Sequence, residues 1–246
     1  MKINKYKYLK NSQYEVTIEE EKYIISEDII IKHEILLKKE IAKKELEEIL
    51  KEQGYYEAYY KAIKYISSKF RTSKEIYKYL EKYQYEKNII EKVIKQLEKE
   101  KYIDEQIYTN AYIKDEINLK QHGPLKIKKD LLDLGISEET INKNLKLFTE
   151  DIIKEKINKI ITKEIKLNKN KSSYILKNKI SNKLITLGYE KKDFIQLLEK
   201  IKIDEKDIYE KEYNKLYQKL SKKYSGKELE LKIKQKLYSK GFTNQQ

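Results

Sequence analysis

The chain has 246 residues, 55 of them lysine or arginine and 41 aspartate or glutamate, for a net charge of +14. It has no cysteine, which excludes disulfides, thiol catalysis and thiolate metal sites. Charged and hydrophobic residues each make up 39%, and the regular spacing of the hydrophobic ones favours folding over disorder. One proline and six glycines leave little material for hairpins or long loops, so most of the chain is predicted to be helix.

The first 55 residues differ in pattern from the rest. Tyr14, Val16 and Ile18 alternate with polar residues and are followed by EEK and YIIS, the pattern of a short hairpin. KINKYKYL, just after the first residue, adds a third strand. A helix is predicted from about Ala42 to Gln53, leading through Gly54 into the next segment. Residues 1–55 are therefore expected to form a small α+β cap. The start lacks the apolar block of a signal peptide, and no apolar run approaches the ~18 residues that a membrane span needs, so a soluble cytoplasmic protein is expected.

Beyond the cap the sequence repeats itself. IYKYLEKYQY (76–85), IKKDLLDLGI (127–136), ISNKLITLGY (180–189) and IKQKLYSKGF (233–242) align without gaps at offsets of 51, 53 and 53 residues. Each has an isoleucine and, four residues later, a leucine (Leu80, Leu131, Leu184, Leu237), one helical turn apart on one face. Gly135, Gly188 and Gly241 then suit a left-handed residue that ends the helix, and Gln84 holds that place in the first copy. A following helix repeats with the same offsets: Ile90, Ile94 and Leu97, then Ile141, Leu145 and Phe148, then Phe194, Leu198 and Ile201. A third helical pattern precedes each pair, clearest in YYKAIKYISS (59–68). Thr72–Glu75 and Ser225–Glu228 have the spacing of capping boxes, and Asp104 and Asp204 stand where they can cap the next helix.

The unit is a three-helix repeat of about 50 residues that gains stability by stacking. The expected fold is mainly α: tandem three-helix repeats in an elongated, curved body behind the N-terminal β-hairpin/α cap. The expected divisions are 56–103, 104–152 and 153–203 for three full repeats, and 204–246 for a fourth that lacks its third helix.

Charge is uneven along this array. Residues 1–60 hold 11 lysines against 13 acids, whereas 154–192 hold 12 lysines against 3 glutamates. Base composition of the coding DNA would raise lysine everywhere, but it would not thin the acids in one stretch. A polyanionic partner met by the C-terminal half is therefore expected. The candidate contacts are Arg71 and Lys74 in the first repeat, Lys126, Lys128 and Lys129 in the second, and Lys163, Lys166, Lys169, Lys171, Lys177, Lys179 and Lys183 in the third. Most of the 23 tyrosines, including Tyr59, Tyr60, Tyr65 and Tyr102, are assigned to packing.

Signs of catalysis are lacking. His33 and His122 lie in different modules without metal-ligand spacing, no phosphate-binding glycine loop occurs, and the paired carboxylates fall on polar helix faces or helix starts. No cofactor, metal or enzymatic activity is expected.

Three stretches in order resemble the RecX regulatory proteins. YYKAIKYISSKFRTSKEIYKYLEK (59–82) is similar to the family's A-x-x-Y-L-S-x-R-x-R-[ST] opening. VIKQLEKEKYIDEQIYTNAYIKD (93–115) is similar to its L-x-x-x-G-Y-[IL]-D-[DE] junction, and GPLKIKKDLLDLGISEETI (123–141) to its G-P-x-x-[IL]-x-x-[DE]-L-x-x-x-G-[IV] motif. YEVTIEEEKYIISEDIIIKHEILLKKEI (14–41) resembles the strand-bearing extension of Gram-positive members. Lys69, Lys101 and Gln84 depart from a common arginine, a glycine and a turn glycine of the pattern. Nothing in the residues demands a dimer, so a monomer is expected, and the resemblance implies a non-enzymatic modulator of the RecA recombinase in DNA repair and the SOS response. Such a protein would lodge in the groove of the RecA–single-stranded DNA filament and inhibit ATP hydrolysis and strand exchange, with weak direct DNA contact. The residues alone leave two alternatives open: a direct DNA- or RNA-binding helical module, and a helical-repeat scaffold for protein partners.

Overall fold

The computed structural model describes residues 1–10 and 12–242. It divides into two compact units, Met1–Tyr108 and the residues from Thr109 onward.

In the first unit, β1 (Ile3–Leu9), β2 (Gln13–Ile18) and β3 (Glu21–Ser26) form an antiparallel sheet in the order β1-β2-β3. The alternation seen in the sequence sets its inner face: Val16, Ile18 and Ile25 are buried, with Val16 opposite Tyr6 on one side and Tyr23 on the other. Helix α1 (Glu27–Lys32) and a 3₁₀ turn (Ile35–Leu37) bring Ile29, Ile30 and Ile35 onto the same core.

Helix α2 (Lys43–Ile66) runs unbroken through Gly54, so residue 55, the expected edge of the cap, lies mid-helix. Its first half contributes Leu46 and Ile49 to the sheet core. Its second half contributes Ala58 and Ala62 to a separate core with Ile76 and Leu80 of α3 (Ser73–Lys82) and Ile90, Val93 and Leu97 of α4 (Lys87–Lys99). The two alanines, four residues apart, give these helices room to approach closely. On α4 the buried stripe is Ile90, Val93 and Leu97, with Ile94 only half-buried, one step round from the expected one.

The same rhythm continues through the second unit. Helix α5 (Glu105–Leu119) leads into it, followed by α6 (Pro124–Asp133) and α7 (Glu138–Leu145). Then come α8 (Glu150–Leu167), α9 (Ser173–Thr186) and α10 (Lys191–Glu199), and last α11 (Lys206–Leu220) and α12 (Gly226–Ser239). Gly135, Gly188 and Gly241 follow α6, α9 and α12 at φ of 83°, 88° and 81°. Gln84, at the equivalent end of α3, and Lys101, at the end of α4, adopt φ of 63° without a glycine's freedom.

Of the two predicted capping boxes, one forms. Thr72 accepts from the Glu75 N–H at 3.2 Å while Glu75 accepts from the Thr72 N–H at 3.0 Å. Ser225 makes no side-chain capping bond, and Gly226, the first residue of α12, has φ 55°, outside the helical range. Asp104 accepts from Gln106 and Ile107, and Asp204 from Lys206, as caps do.

The stretch around Gly123 and Pro124 joins two repeats. The Gly123 N–H donates to Leu187 O at 2.7 Å and the Leu125 N–H donates to Gly188 O at 3.0 Å; Pro124 between them has no N–H to satisfy. The Tyr189 hydroxyl donates to Gln121 O at 3.1 Å. Orphan donors at the start of α6 thus meet orphan carbonyls at the end of α9, with the helix dipoles favourably opposed. The approach demands glycine, since a Cβ on Gly123 would fall 2.5 Å from Gly188 O. One repeat further on, the Ser172 hydroxyl that caps α9 donates to Lys240 O at 2.7 Å, and a Cβ on Gly241 would fall 2.5 Å from Ser172 Oγ. The second helix of one repeat is therefore docked, start to end, on the second helix of the next.

Candidate polyanion-binding surface

The third repeat holds the longest acid-poor run, and the structure sorts its lysines into two kinds. Lys163 and Lys166 stand exposed on α8, and Lys169 and Lys171 are exposed in the loop that follows. None of the four has an ion-pair partner among the described residues. Lys163 and Lys166 share a strip of α8 with Lys159, Asn158, Thr162 and the exposed Leu167. Lys169 and Lys171 border a cleft closed by Asp204 and, from α11, by Asp207, Lys211 and Lys215.

Lys179 and Lys183 face the other way. Both reach the Glu164 carboxylate, at 3.3 and 2.6 Å, and the Glu164 side chain is only 5% exposed. Lys179 also donates to Asn168 Oδ1 at 2.7 Å, and Asn168 Nδ2 donates to Glu164 O. The hydrogen bond from Lys183 holds the Glu164 carboxyl below the ordinary carboxylate range; burial opposes this and Lys179 reinforces it. These two lysines neutralise a buried charge that would otherwise be costly. Lys177 lies between the two kinds, half-buried, with its ammonium 3.4 Å from Glu199 O.

In the second repeat, Lys126 pairs with Asp130 at 2.6 Å and Lys128 pairs with Glu138, while Lys129 is exposed without an ion pair among the described residues. Lys156, outside the predicted set, donates to Lys120 O at 2.6 Å, and burial pushes its pKa down. His122 Nδ1 lies 2.8 Å from the Glu116 carboxylate and His33 Nε2 lies 2.6 Å from Glu52, each in its own unit. Among the described residues there is no group of three or more side chains that could hold a metal ion. No helix among them is long and apolar enough to cross a membrane.

In the first unit, Arg71 is a brace. It pairs with Glu75 at 3.2 Å, and its guanidinium lies 4.0 Å from the Tyr65 ring centroid. Tyr65 stacks on Tyr79 with centroids 3.9 Å apart, and Tyr83 meets Tyr79 edge-on. Lys74, on α3, is exposed.

The sequence-based set named the lysines but missed Glu164. Its signal was present: Glu164 lies four residues after Ile160 and seven after Ile157, on the buried stripe of α8. A carboxylate at such a position needs a cationic partner.

A family model described as RecX, first three-helix domain, matches residues 58–97, the second half of α2 with α3 and α4. A regulatory protein RecX from Bacillus cytotoxicus is 33% identical over 204 residues, covering 81% of this chain and 75% of the relative. The chain belongs to the RecX family. Regulatory RecX proteins of Bacillus mycoides and Halalkalibacterium halodurans are 32% and 28% identical over similar spans. A crystal structure of a regulatory protein RecX superposes with a TM-score of 0.69 at 23% identity, covering 80% of this chain and 98% of that one. RecX from Lactobacillus salivarius superposes with a TM-score of 0.56 at 26% identity, covering 60% and 98%. RecX membership accounts for the mainly helical repeat fold and makes this chain one of a set of regulatory proteins.

Proposed function

We propose that this RecX-family chain is a non-enzymatic regulator of homologous recombination that acts in the cytoplasm as a monomer. It binds the groove of the RecA–single-stranded DNA filament and inhibits RecA's ATP hydrolysis and strand exchange. The observation that carries the reading, beside family membership, is the exposed and unpaired set Lys163, Lys166, Lys169 and Lys171, with Lys129 as a further free cation. Such lysines can meet DNA phosphates or acidic protein surface, and phosphate contact releases condensed counterions. Lys126, Lys128, Lys179 and Lys183 contribute mainly by holding the helices that present the free set, and Arg71 braces the first unit.

The test is RecA-dependent ATP hydrolysis on single-stranded DNA with added protein. The rate should fall as the protein approaches stoichiometry with RecA. An unchanged rate at several-fold excess contradicts the proposal. The same free lysines support a second reading, direct nucleic-acid binding, which predicts tight and salt-sensitive association with naked DNA when RecA is absent.

A further inference from the structure

The first unit contains a cleft of about 530 Å³ between the strand ends at Gln13 and Ser26 and the middle of α2. Three tyrosines line it: Tyr56 and Tyr60 from α2, and Tyr85 from the turn before α4. Two carboxylates, Asp28 and Glu57, stand among them. Tyr60 Oη lies 3.4 Å from Asp28, and Glu57 accepts from the Gln53 side-chain amide at 2.8 Å. Burial pushes the Tyr85 phenol's pKa up, and the charge of Glu57 adds to it.

Neither carboxylate has a cationic partner among the described residues, in a chain where 55 basic residues outnumber 41 acids. The one cation on the cleft wall, Lys61, is engaged elsewhere, with its ammonium 3.7 Å from the Tyr83 ring centroid. The Ser26 hydroxyl, also on the wall, is buried with no hydrogen-bond partner, although the Ser26 N–H is satisfied by Gln53 at 2.8 Å. Three tyrosines and two carboxylates without cationic partners among the described residues, around one concavity, form a receptor for a cation with several donors and a flat face. A guanidinium has both properties, with five N–H donors and a π-stacking plane; an ammonium has three donors but no flat face.

We propose that this cleft is a docking site for an arginine side chain presented by a protein partner. The cap and the first repeat would then read a basic protein residue, whereas the lysines of the third repeat read an anion. The proposal does not depend on RecA being the partner.

The probe is the peptide acetyl-Gly-Arg-Gly-amide, titrated into the isotopically labelled full chain and followed by the Ser26 backbone amide and the Gln53 side-chain amide. Saturable shifts are expected at both, weakened at least five-fold in Asp28→Asn/Glu57→Gln. Both substituted side chains are exposed and the changes are isosteric, so the variant should keep the parent spectrum elsewhere. If it does not, the wild-type titration at rising salt serves the same purpose, because the shifts should fade with screening. Acetyl-Gly-Lys-Gly-amide and spermidine should bind more weakly. No saturable shift, an unchanged affinity in the double variant or at high salt, or equal binding of the lysine peptide or spermidine overturns the proposal.

Discussion

Replacing Gly123 by alanine tests the joint between repeats with the smallest possible change. Gly123 has φ −91°, a value alanine adopts without strain, and the substitution alone should stabilise by about 0.4–1 kcal/mol through the unfolded chain. The added Cβ, however, would lie 2.5 Å from Gly188 O, 2.7 Å from Gly188 C and 2.8 Å from the Tyr189 nitrogen. All three are backbone atoms, so none can swing aside as a side-chain tip would. Relief requires α6 to draw back from α9 and lose the bonds from Gly123 and Leu125, each contributing about 1 kcal/mol. Overpacking elsewhere costs about 1–3 kcal/mol, so the net destabilisation should be about 2–3 kcal/mol. For a chain of this size that lowers Tm by roughly 5–10 °C. Circular-dichroism melting should show the drop, and hydrogen exchange should show the Leu125 amide losing protection before the interiors of α6 and α9. An unchanged or raised Tm with Leu125 still protected refutes the reasoning.

Other outcomes follow from the same structure. Lys101→Gly and Gln84→Gly should each raise stability by about 0.5–1 kcal/mol in chemical denaturation, since both residues adopt φ 63° at helix ends where glycine is relaxed. Glu164→Gln should cost about 1–2 kcal/mol at pH 7, less than the ~3–5 of a fully buried pair, because Lys179 and Lys183 are 44% and 35% exposed and can rehydrate. The Glu164 carboxyl is held low in the folded state, so its stabilisation is present at neutral pH and is lost as pH falls below the ordinary value of 4.5. Urea unfolding at pH 7 and at pH 3 should therefore show the gap between the two proteins closing in acid. Changing Lys163, Lys166, Lys169 and Lys171 together to glutamine should leave the melting temperature in place. It should also flatten the salt dependence of binding to single-stranded DNA or its RecA complex by about 0.7 for each phosphate that is no longer neutralised.

The repeat itself was legible because its signals are local. An isoleucine and a leucine one turn apart, followed by a glycine, specify the second helix wherever they occur, and all three turn glycines have positive φ. The strands were legible from the alternation at Tyr14, Val16 and Ile18. What escaped depends on packing between distant elements. Gly54 looked like a pause between cap and repeat, yet α2 continues through it, with Leu46 and Ile49 packed in one core and Ala58 and Ala62 in another. Ser225 matched a capping box on paper but makes no side-chain cap, with Gly226 at φ 55° opening the helix. The joint at Gly123 and Pro124 was not legible, because their partners come from the end of α9; Tyr189 and Gln121, which bond across the same joint, are 68 residues apart. For the candidate surface, the lysine cluster was visible in composition. Its division into free lysines and those anchored on Glu164 needed the pairing of α8 with α9.

Co-sedimentation with RecA filaments and with bare single-stranded DNA, across a salt series, tests the central claim most directly. The account predicts that the protein pellets with the filament at about 150 mM salt and much less with bare DNA, with filament binding reduced when Lys163, Lys166, Lys169 and Lys171 are neutralised. Equal pelleting with both, or none with the filament at any salt, would contradict it.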